Sequence, residues 1–437
     1  MMTVSNITLH LPPPPTAEIG AAYVRLALGV AQHIPNLLHS YRGPADWLAE
    51  IKAEPPSLEA LRQQAVDLAT SLQQSHLPRQ RRDWLLRQSR ALLWLIRTQE
   101  KEPVIFSEQV RLLLDVPPES AEEAVFEMAH QALEATLPGS GALAERWAAW
   151  QALTTLPTAE ALPLLRAALA TLAELLESDS PLLAAGLPTL DSDPARDTVG
   201  YQHRRFYLPG TGSLRVDRLY HLAAQAIAWH TLEATAGGPS AQPWQPDILP
   251  PSFPPARGED WSTSPPLGPV LSKVEGGTEG GRNIILLNRG PEQIIRQGLP
   301  QAILAGVDVY PTALPALLSQ AGLPRFAPDD LRAIHLAEDA LAWAVGNTAL
   351  LLHSEGLRPR ALRRHLMAQA LLSPAEAEHQ LEMLANPTDA AHLFASLIGG
   401  PLLTAWLARK RHSLVDLLTD PPTPATMLFE VRSDKRR

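Results

Sequence analysis

His230 and Glu233 stand one helical turn apart within Tyr220–Thr235, YHLAAQAIAWHTLEAT, and this is the stretch where the chain could do chemistry. Side chains three residues apart on a helix are neighbours, so the imidazole and the carboxylate can meet. Such a pair can offer a metal ligand or an acid and a base. A catalytic zinc on a helix asks for more: two His on one face, and a Glu to activate the bound water. Thr231 follows His230, and position 234, one turn on, is Ala. Three other groups carry weaker signals. His335 with Glu338 and Asp339 offers imidazole and carboxylates at i, i+3 and i+4, which could hold a metal or form an ion pair on a solvated face. His353, at a helix end beside Glu355, suits a cap favoured by the helix dipole, or a base. Arg358, Arg360, Arg363, Arg364 and His365 could recognise a phosphate or carboxylate, or simply lie exposed.

The elements that must position these groups read as helices. Leu219, Leu222, Ala223, Ala226, Ile227 and Leu232 recur at helical spacing, with no Gly or Pro until Gly237-Gly238-Pro239. Amphipathic segments before and after, many separated by Pro, predict an array of helices with short connections. Ser120 with Glu123, and Ser373-Pro374-Ala375-Glu376, fit capping boxes. Pro138-Gly139-Ser140-Gly141 is a turn that matches neither a phosphate loop nor a nucleophile elbow. Between Ser178 and Val216 the texture changes, and Val199–Leu208 predicts a small β element at the edge of a cleft. The stretch 237–281 is rich in Pro and Gly and aperiodic, an insertion with poor order rather than a lid. The expected fold is all-α with a zincin-like helical scaffold and a small β element. The expected division is an N-terminal helical lobe, 1–177, and a second lobe, 178–437, carrying the site.

Composition removes several function classes. The chain has 437 residues, a net charge of −9 and no Cys. An acidic balance gives no general reason to bind nucleic acid or an anionic membrane. Without Cys there are no disulfides, thiolate ligands or thiol nucleophile, which suits a reducing compartment. No cationic leader followed by an apolar run opens the sequence, and no long uninterrupted apolar span stands out. A cytoplasmic protein is the expectation.

Phrases spread along the chain resemble a family of bacterial zincin-like metallopeptidases that pair a helical scaffold with a His-Glu-x-x-Pro-Gly-His-His motif. They are His33-Ile34-Pro35-Asn36 with Tyr41-Arg42-Gly43-Pro44, Phe106-Ser107-Glu108, Val116-Pro117, Leu137–Gly141 and Arg146-Trp147. Later come Asn288-Arg289-Gly290-Pro291, Ile295–Leu299, Asn347, His353–Gly356, Leu371–Ala377, Asn386-Pro387 and Gly399. The departures fall where the chemistry would be. His230 matches the first zinc His, but the catalytic Glu is Thr231. The Pro-Gly-His-His portion falls on Ala234, Thr235, Ala236 and Gly237. The Glu of an Ile-x-Glu-Gly-Leu phrase is Gln297, a neutral amide that cannot offset Zn²⁺ charge. Family aromatics near the last helix appear as His392 and Ser396.

The resemblance therefore implies a peptidase-like fold without the peptidase site, with His230, Thr231, Glu233, Gln297 and His353 as vestigial cleft positions and no zinc. The expectation is a pseudoenzyme whose old cleft is filled or reused for a peptide or protein. Two other readings stay open. One is a helical interaction protein. The other is a metallohydrolase with a site rebuilt from His230, Glu233, His203, His335 or His353.

Overall fold

The computed structural model describes residues 16–41, 43–176, 180–196, 199–202, 205–237, 274–275, 282–283, 285–409, 412–419 and 421–434. Most of the 237–281 insertion, and His203, lie outside the described residues.

Among the described residues the chain is mainly helical, with 17 α-helices and a few short strands. The first eight are α1 (Thr16–Ala31), α2 (Ala45–Ala53), α3 (Leu58–Gln74), α4 (Arg79–Gln99), α5 (Phe106–Leu114), α6 (Glu123–Thr136), α7 (Leu143–Thr154) and α8 (Thr158–Leu175). After the β-rich stretch come α9 (Leu219–Gly237), α10 (Glu292–Gly306), α11 (Ala313–Gln320), α12 (Pro328–His353) and α13 (Pro359–Gln369). The last four are α14 (Pro374–Leu384), α15 (Pro387–Leu407), α16 (Leu414–Thr419) and α17 (Pro424–Asp434).

The strands are short and local. β1 (Leu38–Tyr41) pairs antiparallel with β9 (Ile285–Leu287), and β2 (Thr155–Pro157) with β6 (Ser213–Arg215). The small β element foreseen between residues 178 and 216 is a three-stranded sheet in the order β3-β5-β4, formed by Thr189–Asp193, Arg205–Pro209 and Gly200–Gln202. β7 (Val274–Glu275) and β8 (Arg282–Asn283) form a fourth pair.

Three helices build the centre. α9 is Ala- and Leu-rich, and Ala223, Ala224, Ala226, Ile227 and Ala228 are all buried. A helix covered on every side must lie in the core. α15 is mostly covered, with Ala390, Ala391, Phe394, Ala395 and Leu403 buried and Ser396 and Pro401 exposed. It is the one described helix long and apolar enough to cross a membrane, and 67% of that apolar window is buried inside the protein. α10 lies against both. A Cβ added at Gly298 would overlap the carbonyl carbon and oxygen of Gly399, and one added at Gly399 would overlap the carbonyl oxygen of Ile294. Backbones this close leave no room for side chains. Pro300 has no N–H, so the carbonyl of Arg296 lacks its i+4 helical donor.

Candidate functional site

The contact of Gly298 with α15 fixes how α10 is rotated. Arg296 is two residues earlier, roughly 200° around the helix. With Gly298 against α15, Arg296 points the other way, and its guanidinium lies 3.8 Å from the centre of the Trp229 ring on α9. This brings the second family-like phrase to the His230 helix. Arg296 is 1% exposed, and its Nε and Nη1 have no hydrogen-bond partner. Burial pushes the guanidinium pKa well down, and the nearby Glu233 carboxylate and Tyr201 oppose that shift.

His230 itself is fully engaged. Its Nε2 lies 3.1 Å from the carbonyl of Ala185, and its Nδ1 lies 2.6 Å from the Tyr201 hydroxyl. A carbonyl only accepts, so Nε2 carries the proton; in the neutral ring Nδ1 then accepts from Tyr201. The next residue, Thr231, donates its hydroxyl to the Leu182 carbonyl at 2.8 Å. The turn containing Leu182 and Ala185 therefore lies across the polar face of α9, and β4 supplies Tyr201 behind it. Glu233 is buried one turn beyond His230.

Of the other expected cleft positions, Gln297 is half-buried beside Arg296, and its Nε2 has no partner. His353 is the last residue of α12. Its Nε2 donates to the Leu384 carbonyl at 2.7 Å, and its ring lies 4.7 Å from that of Phe106. Burial lowers its pKa, against the pull of the Leu384 carbonyl. It ties the end of α12 to the end of α14. His392 on α15 is buried, and neither ring nitrogen has a partner. Burial and the neighbouring Arg289 guanidinium keep it neutral. Glu292 on α10 is buried against Gln88 of α4, whose amide nitrogen donates to it at 2.5 Å. Burial pushes this carboxyl up to about 8.

His335, Glu338 and Asp339 belong to a second cluster. His335 Nε2 lies 3.3 Å from Asp217 Oδ2, so it carries the proton and donates to the carboxylate. Its Nδ1 lies 3.1 Å from the Tyr310 hydroxyl. Arg215 grips Asp217 with the Nε–Nη2 edge of its guanidinium, at 3.2 and 2.6 Å, and bonds Glu338 through Nη1. Arg218 holds Glu338 and, at 3.3 Å, Asp339. Burial pushes the Asp217 carboxyl up, but the His335 hydrogen bond and Arg215 outweigh it and hold it far below the usual carboxylate range. Burial and Arg218 lower His335 despite Asp217. The carboxylates that might have bound a metal with His335 are spent on guanidinium groups. Among the described residues, no group of three or more His, Asp and Glu side chains is arranged to hold a metal ion. The Arg358–Arg364 run is exposed on and beside α13, where Arg363 approaches Glu378 at 3.8 Å.

Tyr201, Ala185 and Arg296 are the partners that sequence spacing missed. The only signal was a cation in the otherwise apolar run of Ile294, Ile295 and Leu299. Compared with protein-family models, curated proteins and solved structures, the chain matches none.

Proposed function

We propose that this chain is a non-catalytic homologue of the zincin-like metallopeptidases, whose former metal face has been closed by the protein's own groups and whose remaining role is binding. The observation that carries this reading is that both ring nitrogens of His230 are taken up by Ala185 and Tyr201. Zinc needs a free imidazole lone pair, and a catalytic zinc needs about three protein ligands with one open position. Here the candidate set is one engaged imidazole, a Thr hydroxyl already donated to Leu182, and a neutral amide at Gln297. A fixed cation, Arg296, stands beside the one buried carboxylate of the set, Glu233. These residues do not fit zinc, so no hydrolytic step is drawn through it. The composition favours a cytoplasmic setting, and a peptide or protein is the class of ligand the ancestral site implies.

The test is metal content and hydrolysis in one preparation. The purified, untagged protein is exposed to zinc, desalted and subjected to elemental analysis, then assayed against a mixed peptide substrate. The expected result is zinc well below one per chain and no chelator-sensitive cleavage. Near-stoichiometric zinc with chelator-sensitive cleavage would overturn the reading.

A further inference from the structure

The geometry points to a binding site for a carboxylate group at Arg296, framed by α9, α10 and β4. A guanidinium presents five N–H donors in a planar fork whose shape matches a carboxylate. At the Asp217 cluster this chain satisfies such a fork with two carboxylates. At Arg296 it leaves Nε and Nη1 without acceptors, in a side chain buried to 1% exposure. Unmet buried donors are costly, and in native proteins each one calls for an explanation. The neighbouring Glu233 carboxylate on α9 favours the charged guanidinium but leaves Nε and Nη1 unmet.

The surroundings are those of a receptor rather than of a defect. The Trp229 ring supports the guanidinium face at 3.8 Å, which leaves the in-plane Nε and Nη1 hydrogens to bind. The Gly298–Gly399 contact fixes the rotation of α10, so the guanidinium is aimed at α9 by rigid packing. A further unpartnered polar atom, Gln297 Nε2, lies on the next residue of α10. Glu233 and Tyr201 are the ionisable neighbours of Arg296. Glu233 balances the cation when the site is empty. It also disfavours multiply charged anions, which is why a carboxylate is assigned rather than a phosphate.

This inference names the ligand chemistry of the vacated site and rests on that reading, yet the two fail separately. Zinc uptake would overturn the non-catalytic reading and leave carboxylate binding measurable. Absence of carboxylate binding would leave the zinc result as it stands.

Thermal denaturation of the full chain, in a buffer free of carboxylates and at constant ionic strength, tests the site. Sodium acetate and the dipeptide Ala-Ala are titrated separately, with sodium chloride as the control and Ala-Ala amide as the blocked form. Ligand that binds only the folded state raises the midpoint in a saturable way. The expected result is such a rise with acetate, with Ala-Ala or with both, and its loss in Arg296→Met. Tighter binding of Ala-Ala than of its amide or of acetate supports a peptide terminus; equal binding of acetate and Ala-Ala supports a free small acid. Should Arg296→Met fail to fold, Arg296→Lys keeps the charge and loses the fork, and should weaken binding by about tenfold or more. No saturable rise in the wild type with either ligand would overturn the inference, as would an unchanged rise in the Arg296 variants.

Discussion

Two buried polar clusters lie at the two ends of the same stretch of chain, and they are built on opposite principles. At the start of α9, Asp217 is met by Arg215 and His335, His335 by Tyr310, and Glu338 by Arg215 and Arg218. Every charge there has a counter-charge. Toward the end of α9, His230 and Thr231 are closed off by Tyr201, Ala185 and Leu182, while Arg296 keeps two donors without acceptors. The first cluster is framework: it joins β6, the turn before α9, and α12. The second leaves buried guanidinium donors of Arg296 unmet. In the sequence both appear as a His with carboxylates at helical spacing. The difference lies in the partners that remote segments deliver.

The largest expected effect breaks the framework cluster. Asp217→Ala strands Arg215 and His335 in the interior, and breaking a buried pair of this kind costs about 3–5 kcal/mol. Denaturant unfolding should show it, and a loss below about 1 kcal/mol would mean the cluster is better hydrated than its geometry implies. Next comes the contact that aims Arg296. Gly298→Ala pushes a Cβ into the backbone of Gly399 and should cost about 1–3 kcal/mol, while weakening any carboxylate binding in step.

Two buried groups, Glu292 and His335, should also differ in sign against pH. Glu292 on α10 has a folded pKa raised to about 8, so the folded state holds a proton that the unfolded state has released. Its contribution is fully present below the unfolded value of about 4.3 and is lost as pH rises toward 8. His335 has a folded pKa below the unfolded value of about 6.5, so the unfolded state binds the extra proton and stability falls as pH drops below that value. Asp217, held low, adds a further loss below about pH 4. Stability measured from pH 5 to 8 should therefore fall less steeply with rising pH in Glu292→Gln, and respond less to acid in His335→Gln. Parallel profiles for wild type and both variants would contradict the assignment. The smallest effect is expected from Glu233→Gln combined with Arg296→Met. Replacing an imperfectly bonded buried pair by neutral groups is often neutral or stabilising, so a loss above about 2 kcal/mol would class this region with the Asp217 framework.

Much of the fold is legible in the chain. The run of Leu, Ala and Ile at helical spacing marks α9 within two residues at either end, and Ser373-Pro374-Ala375-Glu376 forms its capping box as read. The change of texture after Ser178 marks the small sheet. Ser120 and Glu123 fit the same box pattern and do not form it, because α6 starts at Glu123 with Glu122 before it. Residue 121 is instead pinned by the Asn347 side chain, which bonds both its N–H and its carbonyl. A tie across 226 residues outweighs a local signal. The site shows the same limit. His230, Thr231 and Glu233 were identifiable, but the groups that decide their chemistry come from a turn, a strand and another helix. His353, placed in the cleft by its family-like phrase, stands at the end of α12, bonded to the last residue of α14.

The account turns on the state of the His230 ring, and nitrogen-15 NMR of the imidazoles, with the His230 signals assigned by comparison with His230→Gln, measures it directly. The account predicts a ring protonated on Nε2, accepting at Nδ1, and unchanged by equimolar zinc. Loss of the Nε2 proton with a zinc-induced shift of the ring nitrogens would contradict it and return His230 to the role of a metal ligand.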